Sequence, residues 1–107
     1  MSAELPTADD VLAAAARIAG HAALTPVLRS RTLDALAGCE LHFKGEHLQR
    51  SGAFKFRGAC NAVWSLPEAE AHRGVVTHSS GNHGAALALA AGSRGIPCHV
   101  VVPDGAV

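Results

Sequence analysis

The sequence lacks what would mark it for a polyanion, a membrane or an oxidising compartment. Its 107 residues carry nine Lys plus Arg against nine Asp plus Glu, so no net charge draws it toward nucleic acid or an anionic bilayer. Cysteines are three in number, Cys39, Cys60 and Cys98, far apart and without a C-x-x-C pair. That argues against a disulfide framework or a thiolate zinc site, and buried free thiols are expected instead. The apolar run Val11 to Ala16 is closed by Arg17 and falls far short of a bilayer span. Met1-Ser2-Ala3-Glu4 has no basic stretch leading into an apolar one, so no secretory signal is expected and a cytoplasmic location is. The seven histidines follow neither H-E-x-x-H nor a paired-ligand spacing, so no histidine metal site is expected. Repeats and low-complexity linkers are missing too, apart from alanine enrichment.

What is present suits a folded α/β chain of one domain at most, with 49% hydrophobic and 17% charged residues. Thr7 and Asp10 form a capping-box pattern ahead of Val11, Ala15 and Ile18, which recur at helical spacing up to Gly20. Thr25-Pro26-Val27-Leu28 reads as extended, because the residue before proline avoids the α region. A short helix is expected over Ser30 to Ala37, ended by Gly38, and a short strand over Leu41 to Lys44. A further helix is expected from Ala53 to Leu66, with Ser51 near its N-cap and Pro67 past its end. Gly74 to His78 reads as a buried strand, Gly84 to Ser93 as a helix and Cys98 to Val102 as a second, apolar strand. This is a βαβ unit of a parallel sheet. Two parallel strands do not complete a doubly wound domain, so a truncated piece of a larger protein is expected.

Two segments carry chemistry. Lys55 falls in the first turn of an expected helix, between Phe54 and Phe56. The helix dipole opposes a cation there and apolar neighbours disfavour the ammonium form, whereas a neutral amine is what condensation with an aldehyde needs. Gly52 and Gly58 would admit a flat ring close to the backbone. A surface lysine snorkelling past a packed helix fits the same residues, and the residues alone leave both readings open. The second segment, Thr77-His78-Ser79-Ser80-Gly81-Asn82-His83-Gly84, joins a strand to a helix. Free N–H groups and the positive dipole end suit a carboxylate or phosphate there. Helix capping alone would account for one or two of its polar side chains. It matches neither G-x-G-x-x-G nor G-x-S-x-G.

Together these segments resemble the serine/threonine dehydratase and serine racemase branch of the second fold type of pyridoxal-phosphate enzymes, the tryptophan synthase beta-like fold. Leu24-Thr25-Pro26-Val27-Leu28, Phe43-Lys44-Gly45-Glu46, Arg57-Gly58-Ala59-Cys60-Asn61-Ala62, Gly95-Ile96-Pro97 and Val100-Val101-Val102-Pro103 are similar to it in the same order. The resemblance implies that residues 1–72 belong to the large cofactor domain and 73–107 open a small Rossmann-like domain. It implies pyridoxal 5'-phosphate held covalently by Lys55, which later moves the substrate α-proton. Asn82 would hydrogen-bond the cofactor's phenolic oxygen and Phe54 would pack near its ring. Ser79, Ser80, Gly81, Asn82 and His83 would cradle the substrate carboxylate, and Ser80 would face Lys55 across the cofactor as a second acid/base.

The activity so implied is β-elimination of L-serine or L-threonine to a 2-keto acid and ammonia. Serine racemisation with side elimination is the alternative. A glycine-rich phosphate loop and the ligands of a divalent cation would lie beyond residue 107. The resemblance further implies a small hydroxy amino acid as substrate and a homodimer or higher oligomer, with no nucleic acid or membrane partner. Two other readings stand beside it: a non-catalytic remnant of such an enzyme, and a small nucleotide-binding βαβ module.

Overall fold

A computed structural model describes residues 4–107, so the start Met1-Ser2-Ala3 lies outside the described residues. The capping box at Thr7 is made in full: Thr7 Oγ1 accepts the Asp10 N–H and the Asp10 carboxylate accepts the Thr7 N–H, opening α1 (Ala8–Ile18). The extended pair β1 (Val27–Leu28) and β2 (Phe43–Lys44) is antiparallel, with Val27 opposite Lys44. Between them α2 (Arg31–Ala37) starts on the Ser30 hydroxyl and closes on Gly38. Two short 3₁₀ turns, Glu46–Leu48 and Arg50–Gly52, lead into α3 (Lys55–Ser65). A one-turn helix α4 (Glu68–Ala71) follows. Then β3 (Val75–His78), α5 (Asn82–Arg94) and β4 (Cys98–Val101) form the expected right-order unit, β3 and β4 pairing in parallel from Val75 opposite Cys98 to His78 opposite Val101.

The core is a seam between two helices. Phe56, Ala59, Cys60 and Val63 lie on one stripe of α3, and Ala86, Leu87 and Ala90 on the facing stripe of α5. Small side chains on both stripes let the backbones approach, and Ile18, Trp64, Val75 and Ile96 pack around the seam. Arg17 of α1 reaches Asn61 of α3 at 2.6 Å. The Trp64 ring stacks on the His21 ring at 4.0 Å, and the Arg94 guanidinium lies 5.4 Å from its centroid.

Several expectations are corrected. Helix α3 begins at Lys55 rather than Ala53, and Ser51 does not cap it; Ser51 sits in the left-handed region (φ 62°, ψ 3°) inside the Arg50–Gly52 turn. The strand read as buried, β3, is not, and neither is its parallel partner β4. Their residues alternate between half-buried and exposed, Val76 at 72%, because among the described residues α5 covers only one face of the pair. Of the three cysteines, only Cys60 is buried, and burial pushes its thiol pKa up; Cys39 is exposed and Cys98 half-buried. The radius of gyration, 16.8 Å, exceeds the ~13 Å of a compact domain of this length, so the described residues form an open arrangement around one thin core.

Candidate active site

The chain has two lysines, Lys44 and Lys55. Lys44 is committed: its Nζ donates to the Thr25 carbonyl at 2.5 Å. Lys55 is exposed at the first position of α3, and among the described residues its Nζ has no hydrogen-bond or ion-pair partner. The count was available in the sequence, whereas the Lys44 hydrogen bond that separates the two amines was not. The phenylalanines do not flank it symmetrically. Two residues along a helix turn about 200°, so Phe56 goes into the core with 0% exposure while Phe54 stays 61% exposed, 5.1 Å from Lys55 Nζ. Only one apolar ring therefore accompanies the amine.

At the β3–α5 turn the Ser79 N–H extends the sheet by donating to the Val101 carbonyl. Its Oγ accepts the Gly81 N–H at 3.3 Å and the Gly84 N–H at 3.1 Å, so the Ser79 oxygen serves as the cap of α5 and only its O–H remains to donate outward. Gly84 permits this. A Cβ there would stand 2.9 Å from the Ser79 carbonyl oxygen and 3.1 Å from Val100 Cγ1. Ser80, Asn82 and His83 are exposed, and among the described residues their side chains have no partner. The Asn82 and His83 N–H groups likewise meet no acceptor among those residues, at the positive end of a 13-residue helix.

Both features lie at one end of the helix pair. Near the other end Arg94, the last residue of α5, donates to the Val63 carbonyl of α3 and lies over Trp64. Helices joined near their C-termini and packed along one seam start from a common end. Lys55 and the Ser79–Gly84 turn therefore share that end. The Arg50–Gly52 turn just before α3 also touches α5.

Sequence reasoning missed the polar cluster behind Lys55. Arg57 Nε and Nη2 bind the two oxygens of Glu46 at 2.8 and 2.7 Å, and the Thr25 hydroxyl donates to Glu46 at 2.5 Å. The Arg57 hydrogen bonds hold the Glu46 carboxyl far below its ordinary value of 4.5, at about 2, against the opposing effect of burial. Because the folded-state pKa is depressed, the stability this pair contributes is fully present above pH ~4.5 and is lost as pH falls toward about 2. Resistance to urea unfolding, followed by Trp64 emission, should therefore fall as pH drops from about 4.5 toward about 2 in the wild type, and with a shallower slope in Glu46→Gln. Equal slopes would remove the pair from the acid response.

A surface cavity of about 370 Å³ lies elsewhere, between the end of α1 and residues 20–24, with Arg57 on its wall. It includes neither Lys55 nor the turn. Among the described residues no group of three or more His, Cys, Asp or Glu side chains could hold a metal ion, and no helix is long and apolar enough to cross a membrane.

Comparison with known proteins gives a consistent picture. Residues 18–107 match a family model described as pyridoxal-phosphate dependent enzyme. The chain is 60% identical to serine racemase of Arabidopsis thaliana over 90 residues, 84% of this chain and 27% of the relative. It is 54% identical to beta-hydroxyaspartate dehydratase of Paracoccus denitrificans over 99 residues, 92% of this chain and 31% of the relative. The crystal structure of serine racemase from Dictyostelium discoideum superposes with a TM-score of 0.90 at 54% identity, over 92% of this chain and 32% of that one. The chain thus spans about a third of the length of these relatives.

Proposed function

The chain belongs to the pyridoxal-phosphate dependent enzyme family, with the α/β fold of its second fold type, and from that premise we propose that it supplies the amine and the substrate-carboxylate site of an enzyme acting on a small β-hydroxy amino acid. The reaction is removal of the α-proton of L-serine or a close analogue, followed by β-elimination to a keto acid and ammonia or by reprotonation to the enantiomer. One observation carries the reading: Arg94, at the end of α5, bonds Val63 near the end of α3, so the starts of the packed pair, with the uncommitted amine of Lys55 on one and the uncommitted donors of the Ser79–Gly84 turn on the other, belong to the same end.

Those residues suit the cofactor. Lys55 Nζ would hold it, Phe54 offers an exposed apolar ring beside the amine, and the Asn82 amide would donate to its phenolic oxygen. When bound, pyridoxal phosphate supplies an aldehyde for the amine and an electron-withdrawing ring for the substrate α-carbon. The protein's residues then divide the work. The Asn82 and His83 N–H groups and the Ser79 and Ser80 hydroxyls receive the substrate carboxylate at the positive end of α5, and Gly81, with nothing within 4 Å of where a Cβ would stand, leaves room for it. Lys55 Nζ carries the α-proton, and Ser80 Oγ, whose lone pairs no N–H occupies among the described residues, serves as a second proton carrier.

Both outcomes are kept because relatives of this chain are serine racemases and hydroxyaspartate dehydratases, and Ser80 suits either reaction. The division into a cofactor part (1–72) and the start of a second domain (73–107), a divalent cation, and assembly into dimers or larger oligomers belong to the same proposal. The test is chemical. Incubation of the chain with pyridoxal phosphate, borohydride reduction and peptide mass spectrometry should find the trapped adduct on Lys55 in large excess over Lys44. Equal labelling of the two, or labelling of Lys44 alone, would favour a non-catalytic remnant.

A further inference from the structure

Helix α3 begins without a side-chain cap, although its first residue is Lys55. An uncapped start frays, which would smear the position of the amine. Two neighbours hold the turn instead. Phe56 is buried in the α3–α5 seam, with the Arg50 guanidinium 4.9 Å from its ring. Arg57 lies about 200° around the helix from Lys55, so it can be fastened without entering the space of the amine.

It is fastened bidentately to Glu46, whose Oε1 also accepts the Thr25 hydroxyl. Gln49, 3% exposed, takes both backbone groups of Ala23, accepting from its N–H at 2.8 Å and donating to its carbonyl at 2.9 Å. The same Gln49 oxygen accepts the Arg50 N–H at 3.0 Å. Three chain segments, 23–25, 46–50 and the start of α3, are thereby tied through one network. None of its buried side-chain atoms is left unpartnered among the described residues; Trp64 Nε1 is the buried side-chain atom that is. Fully satisfied networks of this kind rigidify what they join.

We propose that Glu46 and Arg57, braced by Thr25 and Gln49, form a positioning latch that sets where the Lys55 amine stands for its aldehyde partner. The proposal rests on Lys55 being the cofactor-holding amine, and the latch acts through the first turn of α3 rather than by contact with the reacting atoms.

Two conservative variants of the full chain test it. Arg57→Lys keeps the charge but loses the two-pronged fork, and Glu46→Gln keeps the shape but loses the charge. Two readouts are taken. The first is the rate of pyridoxal phosphate trapping at Lys55 under borohydride. The second is the NMR signal of Lys55 after reductive methylation with ¹³C-formaldehyde, which needs no cofactor. Trp64 emission monitors the core in each variant. The expected result is a drop of about tenfold or more in Lys55 trapping, the usual scale for a displaced reacting group, together with a shifted or broadened Lys55 methyl signal and wild-type Trp64 emission.

Wild-type trapping and an unchanged methyl signal in both folded variants would overturn the proposal. If wild-type chain fails to trap the cofactor at Lys55 while the methyl signal still moves in both variants, the latch stands and the cofactor assignment fails. Should Arg57→Lys lose the Trp64 signal, Glu46→Gln decides. Loss of that signal in both would reduce the network to a fold support and sink the latch.

Discussion

Ser80→Ala is expected to lower D-serine formation from L-serine by about 10²-fold or more while leaving keto-acid release within about threefold, on the scale that general acid–base groups contribute. The measurement uses a chimera in which this chain replaces the matching third of a serine racemase relative. Inversion at carbon needs one group to take the proton and another to return it from the other side. Elimination needs one proton carrier plus help for the departing hydroxyl. Ser80 is suited to the extra task because its neighbour Ser79 spends its oxygen on the Gly81 and Gly84 N–H groups, whereas Ser80 is exposed and without a side-chain partner among the described residues. Ser79→Ala should behave differently. It removes the cap of α5 and so lowers both activities together, with a loss of stability of about 1 kcal/mol. Parallel loss of both products in Ser80→Ala would remove Ser80 from the second proton role.

The largest stability effect is expected at Gly74. Its φ is +80°, and a Cβ there would stand 2.4 Å from the Pro97 carbonyl oxygen and 2.9 Å from Pro97 Cβ. That same carbonyl accepts the Val75 N–H at 2.9 Å, the bond that starts the β3–β4 ladder. An alanine must therefore adopt a disfavoured backbone and push away the acceptor its neighbour needs. The two costs together come to about 3 kcal/mol or more, a large part of the stability of a small domain. Gly92→Ala is the control. It lies within α5, a Cβ there meets nothing within 4 Å, and the change should be neutral or slightly stabilising. Trp64, the one tryptophan, reports both melts. Coincident midpoints for the two variants would contradict the close approach at Pro97.

The parts of the fold visible in the residues were those closed over short distances. Thr7 with Asp10, Ser30 with Gly38, and the strand–turn–helix around Gly81 all appear where caps and breakers put them, within a residue or two. Lys55 could be singled out because it falls in the first turn of an expected helix between two phenylalanines, and the turn because four polar side chains crowd one strand–helix junction. Three things were not visible. Ser51 looked like a cap but takes a left-handed backbone, since the network around Gln49 and Arg50 shapes that turn. The first parallel strand looked buried, yet a strand's apolar content does not say how many of its faces are covered. The phenylalanines flanking Lys55 looked equivalent, and only the direction of the α5 seam distinguishes them.

Spacing along the chain was thus enough to set the helix starts, the parallel βαβ order and the two candidate segments, because caps and turns are satisfied within three or four residues. Which face of α3 turns inward and what steadies the Lys55 turn emerged only in the tertiary structure. The inward face follows from the α3–α5 seam, and the Lys55 turn from hydrogen bonds between residues 11 to 34 apart, which exist only once the helices have brought those segments together.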